Sequence, residues 1–136
     1  MIEKLDTAFR FHQDAANLRA HRQQLISSNI ANADTPNFKA RDISFKDALE
    51  NAGSNGPVRL ATSARNHIPS PGAGGASGPA ERAPLLYRAA VQGSVDGNTV
   101  DMDVERSQFA DNAIHYEANL TFINDQIRIM RSAIQG

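Results

Sequence analysis

The fold of this chain is decided by residues 104–134, which read VERSQFADNAIHYEANLTFINDQIRIMRSAI. Apolar side chains recur in this stretch at alternating steps of four and three residues, and glycine and proline are absent until Gly136. This 3.5-residue period predicts a helix about 45 Å long whose seam packs against another helix in coiled-coil fashion. The predicted seam consists of Phe109, Ala113, Tyr116, Leu120, Ile123, Ile127, Met130 and Ile134.

Two apolar residues off this seam, Phe122 and Ile129, lie seven residues apart, with Ile114 to one side of them. Scattered apolar residues are common on protein surfaces, so all three could simply be exposed. They could also contact a second neighbour in an assembly, because one partner helix cannot cover both sides. The sequence leaves these two interpretations open.

A second long helix is predicted for residues 2–31, which also lack glycine and proline. Polar residues interrupt its apolar face, so we expect this helix to have low stability until a partner covers it. Its seam consists of Phe11, Ala15, Leu18, Arg22, Leu25, Asn29 and Asn32, and a neighbouring stripe adds Leu5, Phe9, Ala16, Ile26 and Ile30.

Turn residues follow the first helix. Pro36 disfavours the α conformation at Thr35, and Asn37 tolerates a positive φ better than most residues. Residues 38–45 are then expected to be extended. Residues 44–51 predict a short helix that begins at a serine cap.

The middle of the chain is rich in glycine and proline. Residues 53–79 hold six of the nine glycines and four of the six prolines, which predicts a flexible connector. The apolar group at 85–91 is compatible with either a strand or a helical turn. Residues 95–100 predict a turn between β-branched residues.

Composition excludes several classes of protein. Fourteen basic and fifteen acidic residues give a net charge of −1, which offers no electrostatic reason to expect nucleic acid or an anionic membrane as the partner. Direct membrane insertion is not expected either, because no apolar run is long enough to span a membrane. Arginines of the first helix are interspersed with acids and are interpreted as part of a solvated face. The chain has no cysteine, hence no disulfide or thiolate chemistry. An apolar signal segment and a transmembrane run are both absent, which favours the cytoplasm unless export needs no cleaved signal.

Residues for catalysis or metal binding are not found in a productive pattern. The four histidines, His12, His21, His67 and His115, lack the spacing of a zinc site on one helix. Nucleophile-elbow, Walker and dinucleotide-loop motifs are also missing. We therefore expect no enzyme activity, no cofactor and no metal.

Three stretches resemble a known family. Residues 28–42, SNIANADTPNFKARD, are similar to the N-terminal signature of flagellar axial proteins, the rod and hook subunits, and within them to the proximal rod subunits. Residues 96–106, DGNTVDMDVER, look like the family's approach to its C-terminal helix, and residues 5–11, LDTAFRF, resemble its start. One departure is Asn37, where the family usually has glycine; asparagine replaces glycine well at positive φ.

The resemblance implies a structural subunit of the bacterial flagellum that polymerises into the periplasmic rod and transmits torque. It also implies export by the flagellar type III apparatus without a cleaved signal peptide. Expected partners are other copies of the chain, other rod proteins, the rod-base adaptor, the membrane ring of the basal body and the export apparatus. The alternative is a cytoplasmic helical hairpin that binds a partner or acts like a chaperone.

The expected fold is mainly α, with long N- and C-terminal helices paired in coiled-coil fashion, an extended flexible middle and at most short β segments. Residues 1–33 and 101–136 would form the two helices of an axial domain, and residues 34–100 the middle segment. The predicted assembly interface comprises Phe11, Leu18, Leu25, Asn29, Asn32, Thr35, Pro36, Phe109, Tyr116, Leu120, Ile123, Ile127, Met130 and Ile134.

Overall fold

A computed structural model describes residues 2–53, 83–89 and 94–135. Their elements, in chain order, are α1 (Ile2–Ala31), β1 (Arg41–Ile43), α2 (Phe45–Gly53), β2 (Leu85–Tyr87) and α3 (Met102–Gln135). The mainly α fold is confirmed, and so is the contact between the long terminal helices. Among the helices of these residues, none has both the length and the apolar composition needed to cross a membrane.

Helices α1 and α3 run antiparallel, and polar side chains mark their alignment. Asn119 Nδ2 donates to the carbonyl oxygen of His12 at 2.9 Å, and His12 Nδ1 lies 2.9 Å from Asn119 Oδ1. One heptad back along α3, Asn112 Nδ2 donates to the carbonyl of Arg19 at 2.9 Å. A step of seven along α1 therefore matches a step of seven back along α3. We call these two contacts the asparagine rungs.

The expected apolar seam of α3 is only partly covered within the subunit, where Ile123 and Met130 are half-buried. The buried residues of α3 are instead Glu105 and Asn112, while Phe109, Tyr116, Leu120 and Ile127 are each between 36% and 41% exposed. Asparagine has hydrogen-bond partners on α1 and fixes an alignment, which apolar contacts alone do not do. The helices are paired as predicted, and polar residues of α3 fix the alignment of the pair.

Local sequence signals set the ends of the helices. Asp101 Oδ1 accepts the N–H groups of Asp103 and Val104 at 3.0 and 3.3 Å, and so caps α3. Asn32 Nδ2 donates to the carbonyl of Ser28 at 2.8 Å at the end of α1. Chain reversal after α1 is completed by Asn37, whose φ of 61° confirms the predicted left-handed conformation.

Short elements of the middle segment pack on α1. Strands β1 and β2 pair antiparallel, with Arg41 opposite Tyr87 and Ile43 opposite Leu85, so residues 85–87 are a strand rather than a helical turn. Helix α2 begins after Ser44, as predicted, with Ser44 Oγ accepting the N–H of Asp47 at 3.5 Å. The core contains Leu18, Leu25, Ile43, Ala48 and Ala83, against which Phe45 and Leu49 pack. Val91 and residues 54–79 of the predicted connector lie outside the described residues.

Candidate assembly surface

The predicted interface residues divide into an exposed and a buried group. Leu18, Leu25 and Asn29 are buried inside the subunit, where Leu18 and Leu25 form the core with α2 and β1. The residues at the surface or half-buried are Phe11, Asn32, Thr35, Pro36, Phe109, Tyr116, Leu120, Ile123, Ile127, Met130 and Ile134. The structure therefore brings most of the C-terminal seam to the outside of the subunit.

One side of the α1 and α3 pair forms a long open groove. Small and apolar side chains contribute much of its lining, and the flanking polar residues include Arg19, Gln23 and Glu117. We call this surface the groove face and define it by Ala20, Gln24, Ser27, Ala113, Tyr116 and Leu120. It coincides with the predicted seam at Ala113, Tyr116 and Leu120.

A second apolar surface lies on the other side of the helix pair. We call it the ridge face and define it by Phe11, Phe122 and Ile129, which are 51%, 65% and 66% exposed. The ring of His12 stacks on Phe122 with centroids 6.5 Å apart and meets Phe11 edge to face at 5.5 Å. His12, which forms a rung with Asn119, therefore contacts both phenylalanines.

A cluster of charged and amide groups joins α1, the two strands and the beginning of α3. Arg22 binds both oxygens of Asp42, at 2.9 and 3.0 Å, and Arg88 reaches Asp42 at 2.7 Å. Arg88 also donates to Glu105 Oε1 at 2.6 Å, and both arginines contact Gln108 Oε1. We call Arg22, Asp42, Arg88, Glu105 and Gln108 the polar junction.

The carboxylate of Glu105 is fully buried yet satisfied on both oxygens. Arg88 donates to one oxygen, and Asn29 Nδ2 donates to the other at 3.3 Å. Asn29 is itself held by β1, since it donates to the carbonyl of Arg41 at 2.8 Å and accepts the N–H of Arg41 at 3.1 Å. Removing one partner of such a pair would leave an uncompensated buried charge.

The electrostatics of the polar junction favour the ionised states of Asp42 and Arg22. Burial would raise the pKa of the Asp42 carboxyl, but hydrogen bonds from Arg22, Arg88 and the Ile43 N–H outweigh it and hold this pKa below its ordinary value. The hydrogen bond to Asp42 likewise raises the pKa of Arg22. The solvated face predicted for the arginines of α1 is therefore wrong at Arg22. It is also wrong at Arg19, which lies over the ring of Phe45 at 3.8 Å.

Residues 94–100 hold the loop that follows α1. Asn98 Nδ2 lies 3.1, 2.6 and 3.0 Å from the carbonyl oxygens of Asn32, Ala33 and Thr35. The side chains of Thr35 and Pro36 remain exposed on the outer side of this loop. We call the contact of residues 94–100 with residues 32–40 the clasp.

Backbone hydrogen bonds continue the clasp. Asn37 N–H donates to Asp96 at 2.9 Å, and Thr99 N–H donates to Phe38 at 3.1 Å. Gly97 has a φ of 68°, which other residues rarely adopt, and a Cβ added to it would lie 2.7 Å from Asn37 Oδ1, so a larger residue would be strained and would displace the Asn37 side chain. The sequence predicted a turn at 95–100 but not that it binds the first loop.

These arrangements offer surfaces for protein contact. Among the described residues, no group of three His, Asp or Glu side chains could hold a metal ion. The polar junction is closed by its own ion pairs, and its members stabilise the subunit. The exposed chemistry lies in the two apolar faces and in the loop fixed by the clasp.

Comparison with known proteins agrees with this architecture. A family model described as "Flagella basal body rod protein" matches residues 9–39, which cover most of α1 and the loop after it. Over 141 residues, the chain is 48% identical to the flagellar basal body rod protein FlgB of Proteus mirabilis, covering 99% of this chain and 98% of the relative. The FlgB proteins of Salmonella typhimurium and Escherichia coli are 47% and 46% identical, with 100% of this chain and 99% of each relative covered.

The resemblance found in the three sequence motifs thus extends over the whole chain and is confirmed. The match over the whole chain favours the rod subunit over the alternative prediction of a cytoplasmic helical hairpin. Members of this family are structural subunits of the flagellar rod and not enzymes, and a rod subunit assembles with other basal body rod proteins. The chain belongs to the FlgB family of flagellar basal body rod proteins.

Proposed function

We propose that the chain is a proximal rod subunit that polymerises through its predicted assembly interface into the periplasmic drive shaft of the flagellum and transmits torque. The observation that carries this proposal is the exposed apolar stripe of α3, which includes Phe109, Tyr116, Leu120, Ile127 and Ile134. Patches of this kind on soluble proteins are typical of interaction sites. In this proposal residues 1–33 and 101–136 form the axial domain, and residues 34–100 the middle segment.

Burial of this stripe would stabilise an assembly appreciably. Fully burying one large aliphatic or aromatic side chain contributes about 1.5–3 kcal/mol, so covering the exposed part of Phe109, Tyr116 or Leu120, 36–39% of each residue, contributes roughly 0.5–1 kcal/mol. Ile134 is 85% exposed and contributes more. Several such residues in one contact contribute several kcal/mol. Leu18, Leu25 and Asn29 support the interface from within, because they fix α1 against the core and the polar junction.

The experiment compares two introduced charges on α3. Ile127→Asp places a carboxylate within the stripe, whereas Thr121→Asp places one at an exposed position away from it. We expect Ile127→Asp to be produced and exported but to leave basal bodies without a complete rod, and Thr121→Asp to swim normally. Electron microscopy of purified basal bodies and swimming assays measure this. Normal rods in the Ile127→Asp strain would contradict the proposed interface.

The same proposal includes specific partners in the basal body. We expect contacts with the rod-base adaptor, the membrane ring and the flagellar export apparatus, and the exposed Thr35 and Pro36 offer a fixed surface for one of them. A photo-crosslinking amino acid at Pro36 tests this in intact basal bodies. Products with the adaptor or ring are expected, and products with distant rod or hook proteins alone would contradict it.

Export through the type III apparatus would leave the N-terminus uncleaved. Mass spectrometry of the protein from purified basal bodies is the test. Peptides that begin within the first residues of α1 are expected, whereas a shortened N-terminus in all molecules would contradict this route.

A further inference from the structure

The two apolar faces lie on opposite sides of the line along which α3 contacts α1. Asn112 and Asn119 point at α1. At about 100° per residue, Ala113 and Leu120 lie about 80–100° around the helix from Asn112 in one direction, and Phe122 and Ile129 lie about 80–100° in the other. No single neighbour can cover both faces of one subunit.

The two faces also differ in shape. Ala20, Ser27 and Ala113 are small residues that line the groove face, and Tyr116 and Leu120 contribute larger side chains to it. The ridge face instead presents two phenylalanine rings and an isoleucine, all more than half exposed. Large side chains that insert between helices at positions of small residues are the usual form of helix packing.

Charges near the groove face are mainly basic, because Arg19 lines it beside Glu117 and two further arginines lie on the same side of α3. Arg106 lies seven residues before Ala113, and Arg131 lies eleven residues after Leu120, so both arginines lie on the groove side of α3. Asp111 lies eleven residues before Phe122, on the ridge side. Asp125 also lies on the ridge side of α3. Half of its side chain is exposed, and it pairs with Arg128 at 3.0 Å.

We infer that the ridge face of one copy docks into the groove face of a second copy of this chain. The inference rests on the proposed function and names the partner of its interface. Docking of ridge on ridge would bring aspartates together and leave both grooves empty. Docking of ridge in groove pairs aspartates with arginines and fills the groove with aromatic side chains.

A contact between two different faces has a structural consequence. It is heterologous, so each copy still offers a free groove on one side and a free ridge on the other. Repetition of such a contact generates a ring or a helix rather than a closed dimer. This is the type of contact that a tubular rod requires.

The chain has no cysteine, so introduced cysteines can test the contact directly. Ala113→Cys labels the groove face and Ile129→Cys labels the ridge face, and both residues are exposed. Purified basal bodies from strains with one or both changes are treated with a flexible bismaleimide. The doubly substituted chain is expected to give dimers and larger cross-linked species, and each singly substituted chain at least tenfold less dimer.

The outcomes of this experiment distinguish failure of the contact between ridge and groove from failure of the proposed rod function. Dimers from a single cysteine would show like faces together and overturn the inference. Basal bodies that contain the doubly substituted chain without cross-links would also overturn it, while the rod function stands. Absence of the wild-type chain from basal bodies would overturn the proposed function itself.

A second pair of variants removes any dependence on cross-linker reach. Ala113→Trp fills the groove, and Thr121→Trp adds the same ring at an exposed position on neither face. Swimming is expected to be lost only with Ala113→Trp, although both isolated chains have the same circular dichroism. Normal swimming of Ala113→Trp would overturn the inference.

Discussion

At the scale of single residues, Asp42 connects α1 to the strands through its two arginine partners. Asp42→Asn keeps the shape of the side chain but removes its charge, and leaves Arg22 and Arg88 facing a neutral group. Breaking a mostly buried pair in this way costs roughly 3 kcal/mol. Urea unfolding of the two isolated chains at neutral pH should show this loss as a lower midpoint.

The pH dependence of that difference follows from the lowered pKa of Asp42. An Asp has an ordinary pKa of about 3.9 in an unfolded chain. Since the folded pKa lies below that value, the stabilisation is fully present above it and is lost as the pH falls through the folded pKa. The wild-type chain should therefore lose its advantage over Asp42→Asn only below about pH 4. A difference that disappears between pH 5 and 7 would contradict this origin.

Two glycines give a matched test of the clasp. Gly97 has a φ of 68°, and a Cβ added to it would lie 2.7 Å from Asn37 Oδ1, whereas Gly53 lies at the end of α2 with no atom within 4 Å of an added Cβ. Gly97→Ala should lower the free energy of unfolding by roughly 1–2 kcal/mol from backbone conformation alone, and by more from the contact with Asn37. Gly53→Ala should change it by less than about 1 kcal/mol. Chemical denaturation of both variants measures the difference, and equal effects would contradict the clasp.

At the scale of elements, the asparagine rungs predict a specific defect. Asn112→Leu replaces a buried amide by an apolar group of similar size, which removes the contacts with Arg19 and Gln23. Buried asparagines in helix pairs commonly restrict pairing to one partner and one alignment. We expect Asn112→Leu to increase self-association of the isolated chain in sedimentation experiments. Thr121→Leu, at an exposed position on neither face, is the control that should not.

Helices and turns were predictable because their signals are local. Helix α1 covers residues 2–31, which contain no glycine or proline, and the turn residues Pro36 and Asn37 indicate that it ends before them. The serine cap of α2 is likewise encoded within a few residues. In each case the stabilising contact connects residues close in sequence.

The polar junction and the asparagine rungs were not predictable in this way. Asn112 finds its partner Arg19 across 93 positions of the chain, and Asn29 meets Glu105 across 76. In the sequence alone, a polar residue within a predicted seam indicates only weaker apolar packing, because its hydrogen-bond partner is not known. The same reasoning explains why the apolar period of α3 predicts a packing surface but not which helix packs on it.

At the scale of the whole molecule, the distribution of apolar surface predicts assembly-coupled folding. Polar groups form much of the contact between α1 and α3, while several large apolar residues of α3 keep more than a third of their surface exposed. Long helices without a covered apolar face are marginally stable in water. Circular dichroism of the isolated chain at low concentration should show less helix than the structure, with an increase at higher concentration. Full helicity and a sharp thermal transition in the dilute monomer would contradict this prediction.

The asparagine rungs have a further consequence for the alignment of the hairpin. In both rungs an asparagine side-chain amide on α3 donates to a backbone carbonyl on α1, and the two rungs are seven residues apart. Sliding α3 by seven residues would therefore place Asn119 opposite Arg19, where it could form the same hydrogen bond. The rungs alone thus define the alignment only up to multiples of seven. Glu105 removes this degeneracy, because a slid helix would carry its buried carboxylate away from Arg88 and Asn29. One charged contact at one end therefore selects a single alignment for the full length of both helices.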